Sequence, residues 1–96
     1  MLFRSFSDLR LAVPDRVVAR PVDDMLVLLD LESGRSFTLD AIGSRAWTLL
    51  TSTPSVQVAY DTLLAEYRVA PDQLQRDLQG LIDTLCAKAL LETRHA

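Results

Sequence analysis

The sequence predicts a single α+β domain in which a three-stranded antiparallel sheet is followed by a three-helix bundle, in the order β-β-β-α-α-α. Two observations predict this order. The first half contains short apolar runs separated by turn residues, and the second half repeats apolar residues every three or four positions. Since 96 residues suffice for one domain but not for two, we expect residues 1–96 to form one unit with a core over about 10–92.

The strand half is predicted from its turns. Val17–Val22 reads as the first strand, and Asp23-Asp24 connects it tightly to Met25–Leu31. The second run is apolar on both faces, a pattern that predicts a central strand covered on each side. Gly34 supplies the positive φ that the next turn needs. In Arg35–Leu39 apolar and polar residues alternate, which predicts a half-exposed third strand.

The helical half is predicted from caps and apolar spacing. Asp40 caps a first helix that runs to about Leu50 and is broken at Pro54, Ser55 caps a second, and Pro71 starts a third that runs to about Lys88. Residues 89–92 are expected to form a short extended or frayed tail. The whole order resembles a winged helix. The predicted apolar stripes are Ile42, Ala46, Leu49 and Leu50; Val56, Tyr60, Leu63, Leu64 and Tyr67; and Leu74, Leu78, Leu81, Ile82 and Leu85.

Composition limits the partners and the compartment. The formal charge is −3, and the third predicted helix with its C-terminal flank carries three acids against two bases, so a phosphate backbone would repel it. No apolar run is long enough for a membrane span, and the N-terminus lacks the pattern of a secretory signal. The single cysteine, Cys86, excludes an internal disulfide. We therefore expect a cytoplasmic protein that binds neither nucleic acid nor membrane.

Catalytic and metal-binding residues are scarce. The single histidine, His95, lies near the end of the chain, where chains are usually mobile, and Cys86 lies in a predicted helix beside the apolar Leu85. The acidic pair Asp23-Asp24 is typical of a solvated turn. There is no glycine-rich phosphate loop, and one histidine and one cysteine cannot supply the usual zinc ligands. The sequence therefore predicts a protein without catalysis, cofactor or metal.

The third predicted strand, Arg35–Leu39, has no partner beyond it in the sequence because Asp40 begins a helix. If the first strand pairs on the other side of the sheet, this strand is an edge with unpaired N–H and C=O groups. An extended peptide could add to it through ~3–5 backbone hydrogen bonds. A short edge that simply stays open is the alternative, and the residues alone do not decide between them.

The ordered combination of segments resembles the PqqD-like family over about residues 10–92. This family's pattern is an apolar strand, an acidic-Gly turn, a strand ending in Leu-Asn or Leu-Asp, and a helix with a Gly and a Trp before paired leucines. Ala89 departs from it, since the family often has Gly there. The matching segments are Met25–Arg35, Phe37–Asp40, Gly43–Leu50, Ala65–Val69, Asp77-Leu78, Leu81-Ile82, Leu85 and Leu90–Glu92.

The resemblance implies a recognition element for ribosomally made, post-translationally modified peptides (RiPPs). Such domains take the leader of a precursor peptide as a fourth antiparallel strand, beside the third helix. The implied backbone edge is Arg35, Ser36, Phe37, Thr38 and Leu39, and the implied groove residues are Leu74, Asp77, Leu78 and Leu81. Core packing is the alternative role of the three leucines and the expected role of Trp47.

The resemblance also implies the partners. Members of this length resemble two groups, one serving a radical SAM enzyme of pyrroloquinoline quinone synthesis and one serving lasso-peptide clusters. The Leu-Asp start of the first helix and the Glu-Ser-Gly-Arg turn are closer to the lasso group, in which the precursor passes to a separate leader peptidase and then a cyclase. A winged-helix DNA-binding regulator is the remaining alternative. The state could be a monomer or a dimer through the edge strand.

Overall fold

A computed structural model describes residues 9–53 and 55–95. The predicted order of three strands and three helices is confirmed, and two further short strands flank it. The predicted break at Pro54 lies outside the described residues. The elements are β1 (Leu9–Ala12), β2 (Val17–Val22), β3 (Met25–Asp30), β4 (Ser36–Leu39), α1 (Ala41–Ser52), α2 (Val56–Glu66), α3 (Pro71–Ala87) and β5 (Glu92–His95).

The strands β2, β3 and β4 form an antiparallel sheet with β3 in the centre. Asp23 adopts a positive φ of 57° in the turn between β2 and β3. The turn between β3 and β4 is held by Asp30, whose carboxylate accepts hydrogen bonds from the amides of Glu32 and Ser33 at 2.9 and 3.3 Å. Gly34, with φ +76°, completes this turn in the left-handed region that was predicted for it.

The segment after α3 contains more regular secondary structure than the sequence suggested. Ala89 takes the left-handed conformation (φ 60°), and the amides of Ala89 and Leu90 donate to the carbonyls of Cys86 and Leu85 at 3.0 and 2.9 Å. This is a Schellman C-cap, and it reverses the chain so that β5 pairs with β1. The sequence predicted a short extended or frayed tail over residues 89–92, whereas the structure has this hydrogen-bonded turn followed at Glu92 by the extended strand β5, of which His95 is the last residue.

The helices α1 and α3 pack against one face of the sheet, α2 packs against α1 and α3, and the buried residues form two adjoining core clusters. One lies among the helices, and the other joins the inner face of the sheet to α1, α3 and the chain after α3. Leu81 packs against both clusters. Trp47 is 5% exposed, as predicted for a core residue. The clusters comprise Ala46, Leu49, Leu50, Val56, Ala59, Leu63, Leu78 and Ile82, and Val17, Leu28, Leu39, Trp47, Leu85, Leu90 and Leu91.

The side chains of β3 on the face away from the helices are more exposed than the sequence predicted. An apolar run on both faces was expected to mark a strand covered on each side, and this was wrong. Leu28 is fully buried under the helices, whereas Val27 and Leu29, which point to the other face, are half-buried and Met25 is 42% exposed. Among the described elements, the helical packing covers only the face of Leu28.

The helices begin where their caps were predicted. The carboxylate of Asp40 accepts from the amide of Gly43 at 2.7 Å, the hydroxyl of Ser55 accepts from the amide of Val58 at 3.3 Å, and Pro71 stands at the first position of α3. Within residues 9–53 and 55–95, no helix has both the length and the apolar composition needed to cross a membrane.

Candidate functional site

The outer edge of β4 offers backbone groups in a fixed pattern. In the described sheet β4 pairs with β3 alone. The amide of Asp30 donates to the carbonyl of Arg35 at 2.9 Å, so residues 35, 37 and 39 direct their backbone groups toward β3. Because the direction alternates along a strand, the N–H and C=O groups of Ser36 and Thr38 point away from the sheet.

The other edge strand of the sheet, β2, lacks one of its outward-pointing N–H donors. The amide of Leu31 donates to the carbonyl of Arg16 at 2.8 Å, so even-numbered residues of β2 pair with β3 and odd-numbered residues point outward. One of these outward residues is Pro21, which has no N–H to donate. The β2 edge is therefore blunted, whereas both outward residues of β4 keep their donors.

The side chains of β4 divide between the two faces of the sheet. Leu39 is buried in the core cluster beneath the sheet, and Phe37 is half-buried against it. Ser36 and Thr38 are exposed on the opposite face. The ammonium group of Lys88, at the C-terminal end of α3, lies 5.4 Å from the centroid of the Phe37 ring, a cation–π distance that links the strand to the helix end.

A basic cavity of about 460 Å³ lies between β4 and the C-terminal end of α3. It contains two cations, Arg35 and Lys88, and one acid, Asp30. The acid is compensated, since the Nε of Arg16 lies 3.3 Å from its carboxylate. The cavity is lined by Asp30, Ser33, Arg35, Ser36, Phe37, Thr84, Ala87, Lys88 and Leu90.

The pKa of Asp30 lies below its ordinary value. Burial raises this pKa, but the hydrogen bonds from the amides of Glu32 and Ser33, together with the guanidinium of Arg16, lower it by more. Asp30 is consequently a carboxylate at neutral pH and holds the turn that leads into β4.

An apolar cavity of about 300 Å³ lies between the N-terminal half of α3, the start of α1 and the segment after α2. Ile42, which was placed on the apolar stripe of the first helix, lines this cavity together with Ala46 of the same stripe, but it is 60% exposed. Gly43 brings α1 close to β4, since a Cβ there would lie 3.3 Å from Leu39. The lining residues are Ile42, Gly43, Ala46, Leu63, Tyr67, Arg68, Val69, Leu74, Asp77, Leu78 and Leu81.

The residues proposed from the sequence fall into three places. Leu74, Asp77, Leu78 and Leu81 all line the apolar cavity. Arg35, Ser36 and Phe37 line the basic cavity. Thr38 and Leu39 line neither, so any role of Thr38 depends on its outward backbone and its exposed side chain.

The four groove residues differ in burial. Leu78 is 3% exposed and belongs to the helical core, while Leu74 and Leu81 are half-buried at its margin. Asp77 is exposed, and its carboxylate accepts hydrogen bonds from Gln73 at 3.0 and 3.1 Å.

Sequence reasoning missed several lining residues. Thr84 and Lys88 extend the stripe that Leu74, Asp77 and Leu81 begin, because steps of three and four residues continue along the same face of α3. That spacing was the available signal. Ile42 carried no such signal, since its apolar side chain suggested the core.

The remaining chemically reactive groups lie elsewhere. Cys86 is half-buried and packs against both core clusters. Burial and the neighbouring Asp83 raise the pKa of its thiol, which is therefore protonated and a poor nucleophile at neutral pH. In the described part of the chain, no three His, Cys, Asp or Glu side chains come together as a metal site.

The fold and this site define a small α+β domain in which β4, an edge strand of the described sheet, lies beside a helix-lined groove, a geometry to which an extended peptide can add as a strand. The family described as Coenzyme PQQ synthesis protein D (PqqD) matches residues 25–91. This chain belongs to the PqqD family.

Two solved structures are similar over most of the chain. One is TbiB1 in complex with the TbiA(beta) leader peptide, with 41% identity and a TM-score of 0.78, covering 83% of this chain and 93% of that chain. The other is lasso peptide synthetase B1 complexed with the leader peptide, with 22% identity and a TM-score of 0.80, covering 86% and 98%. The second shows likeness of fold. No curated protein sequence matches this chain.

Proposed function

We propose that this protein binds the leader of a ribosomally synthesised precursor peptide as an added strand on β4 and presents it to separate enzymes in the cytoplasm. In this proposal the partners are a leader peptidase and a cyclase of a lasso-peptide pathway, and the protein performs no chemistry of its own. The leader lies antiparallel to β4, beside α3.

The observation that carries the proposal is the outward direction of the backbone groups of Ser36 and Thr38. An added strand would satisfy them with hydrogen bonds of about 0.5–1.5 kcal/mol each. Side-chain preference would come from the two cavities along α3. The family match and the 41% identical relative solved with a leader peptide support this choice of ligand.

The two alternatives have less support. The arrangement of β4 and α3 would suit a pyrroloquinoline quinone precursor as well, but one of the two similar structures is a lasso peptide synthetase B1, which favours the lasso group. DNA binding is disfavoured because α3, the helix that would enter the groove, carries Asp72, Asp77 and Asp83 against Arg76.

The proposal is tested by hydrogen exchange with and without a saturating synthetic TbiA(beta) leader peptide. Binding should slow exchange of the amides of Ser36 and Thr38, while the amide of Ala19, which points outward from β2, keeps its rate. Equal rates for all three amides with and without peptide would refute strand addition on β4. A gel shift with duplex DNA at low salt tests the DNA alternative.

A further inference from the structure

The basic cavity carries an excess of positive charge. Arg35 and Lys88 both line it, and neither forms a salt bridge with a carboxylate among the described residues. The one acid in the lining, Asp30, already faces Arg16 and two backbone amides. Lys88 is held over the ring of Phe37 rather than by an opposite charge.

The apolar cavity differs in this respect. It contains one acid, Asp77, and one base, Arg68, so its formal charges balance. Of the two cavities along α3, only the basic cavity, near the start of β4, therefore carries uncompensated charge. A bound peptide would meet positive charge at one end only.

We propose that the basic cavity is a subsite for an acidic side chain, Asp or Glu, of the peptide bound to β4. The inference rests on the proposed function and deepens it by stating the chemistry of one position in the ligand. The carboxylate would lie between the guanidinium of Arg35 and the ammonium of Lys88, and the hydroxyl of Thr84, which lines the same cavity, would donate a further hydrogen bond.

The register of the sheet gives the position of that acid. In an antiparallel partner, the residues opposite Arg35 and Phe37 place their side chains on the same face as these two residues, toward α3. The peptide residue opposite Arg35 follows the one opposite Phe37 by two positions. The acid therefore belongs at the C-terminal end of the added strand, at the position opposite Arg35.

The test is a scan of the TbiA(beta) leader peptide in which Glu and, separately, its neutral isostere Gln replace each residue. Fluorescence anisotropy gives the Kd for the wild-type protein, the double variant Arg35→Gln/Lys88→Gln, and the control Arg20→Gln. Arg20 is an exposed cation of β2 that lines neither cavity. The variant Thr38→Pro is measured in parallel.

At one position, at the C-terminal end of the bound segment, Glu should bind about 5- to 30-fold more tightly than Gln. That preference should disappear in Arg35→Gln/Lys88→Gln, persist in Arg20→Gln, and weaken as salt increases. If no Glu preference depends on these two cations while Thr38→Pro still weakens binding, the subsite alone is overturned. If the peptide does not bind the wild-type protein, or if it binds Thr38→Pro with unchanged affinity, the proposed function is overturned and the subsite with it.

Discussion

Replacing Thr38 with proline tests the edge most directly. Thr38 lies opposite Val27 in the register, at a position where β4 and β3 exchange no hydrogen bonds. Proline there removes an N–H that points outward and leaves the bonds of residues 37 and 39 to β3 in place. We therefore expect the variant to keep its fold.

The expected loss of affinity follows from the number of exposed groups. Ser36 and Thr38 together present two N–H groups and two carbonyls. Proline removes one donor and leaves a carbonyl of the bound peptide unpaired beside its ring, which costs about 1–3 kcal/mol. Leader binding should weaken by about 5- to 150-fold.

The assay is a fluorescence titration of labelled TbiA(beta) leader, with Ala19→Pro as the matched control. Ala19 also directs its N–H outward, but from β2, so proline should perturb the sheet similarly without touching the proposed edge. Thermal unfolding of both variants separates binding from stability. Unchanged affinity in a folded Thr38→Pro variant would refute strand addition on β4.

Three further predictions concern the groove and the turns. Ile42→Ser should weaken leader binding by about 5- to 30-fold in the same titration, because it removes exposed apolar surface from the apolar cavity. Val58→Ser, a similar change outside that cavity, should leave the affinity for leader unchanged. Equal losses of affinity in the two variants would contradict the assignment of the apolar cavity to the binding site. Asp30→Asn should lower the free energy of unfolding at pH 7. The folded-state pKa of Asp30 is below its ordinary value of 3.8, so the contribution of its carboxylate to the free energy of unfolding is complete above pH 3.8 and is lost as the pH falls through the folded-state pKa. The free energies of unfolding measured by urea titration at pH 7 and pH 3 should therefore differ less in the variant than in the wild type. Ala89→Gly should stabilise the fold by about 0.5–1 kcal/mol in urea titrations, because φ at this position is 60° and glycine adopts this conformation without steric strain. A loss of stability would show that the greater entropy of glycine in the unfolded chain outweighs the removal of that strain.

The sequence predicted the local elements well because the signals were local. The caps at Asp40 and Ser55, the proline at the start of α3 and the positive φ of Gly34 each depend on a few neighbouring residues. The strands β1 and β5 were missed because they stabilise each other across the length of the chain, from Leu9–Ala12 to Glu92–His95. Their pairing depends on the Schellman turn at Ala89, a residue type that seldom adopts that conformation.

Parts of the candidate site could also be proposed from local signals in the sequence. An edge at residues 35–39 follows from the order of the elements, and the groove leucines follow from helical spacing. The sequence did not show which backbone groups point outward, because that depends on the register between β3 and β4. It also did not show that Ile42, on the apolar stripe of α1, is exposed and lines a cavity.

Taken alone, the sequence determined the order of strands and helices, their caps and turns, and the scarcity of catalytic side chains. Only the tertiary structure decided which face of β3 the helices cover, which edge of the described sheet keeps its donors, and that Arg35 and Lys88 line the same cavity. The spacing of apolar residues shows which side chains will pack, but it does not show which residues they pack against. Those contacts depend on how segments distant in the sequence come together in the fold.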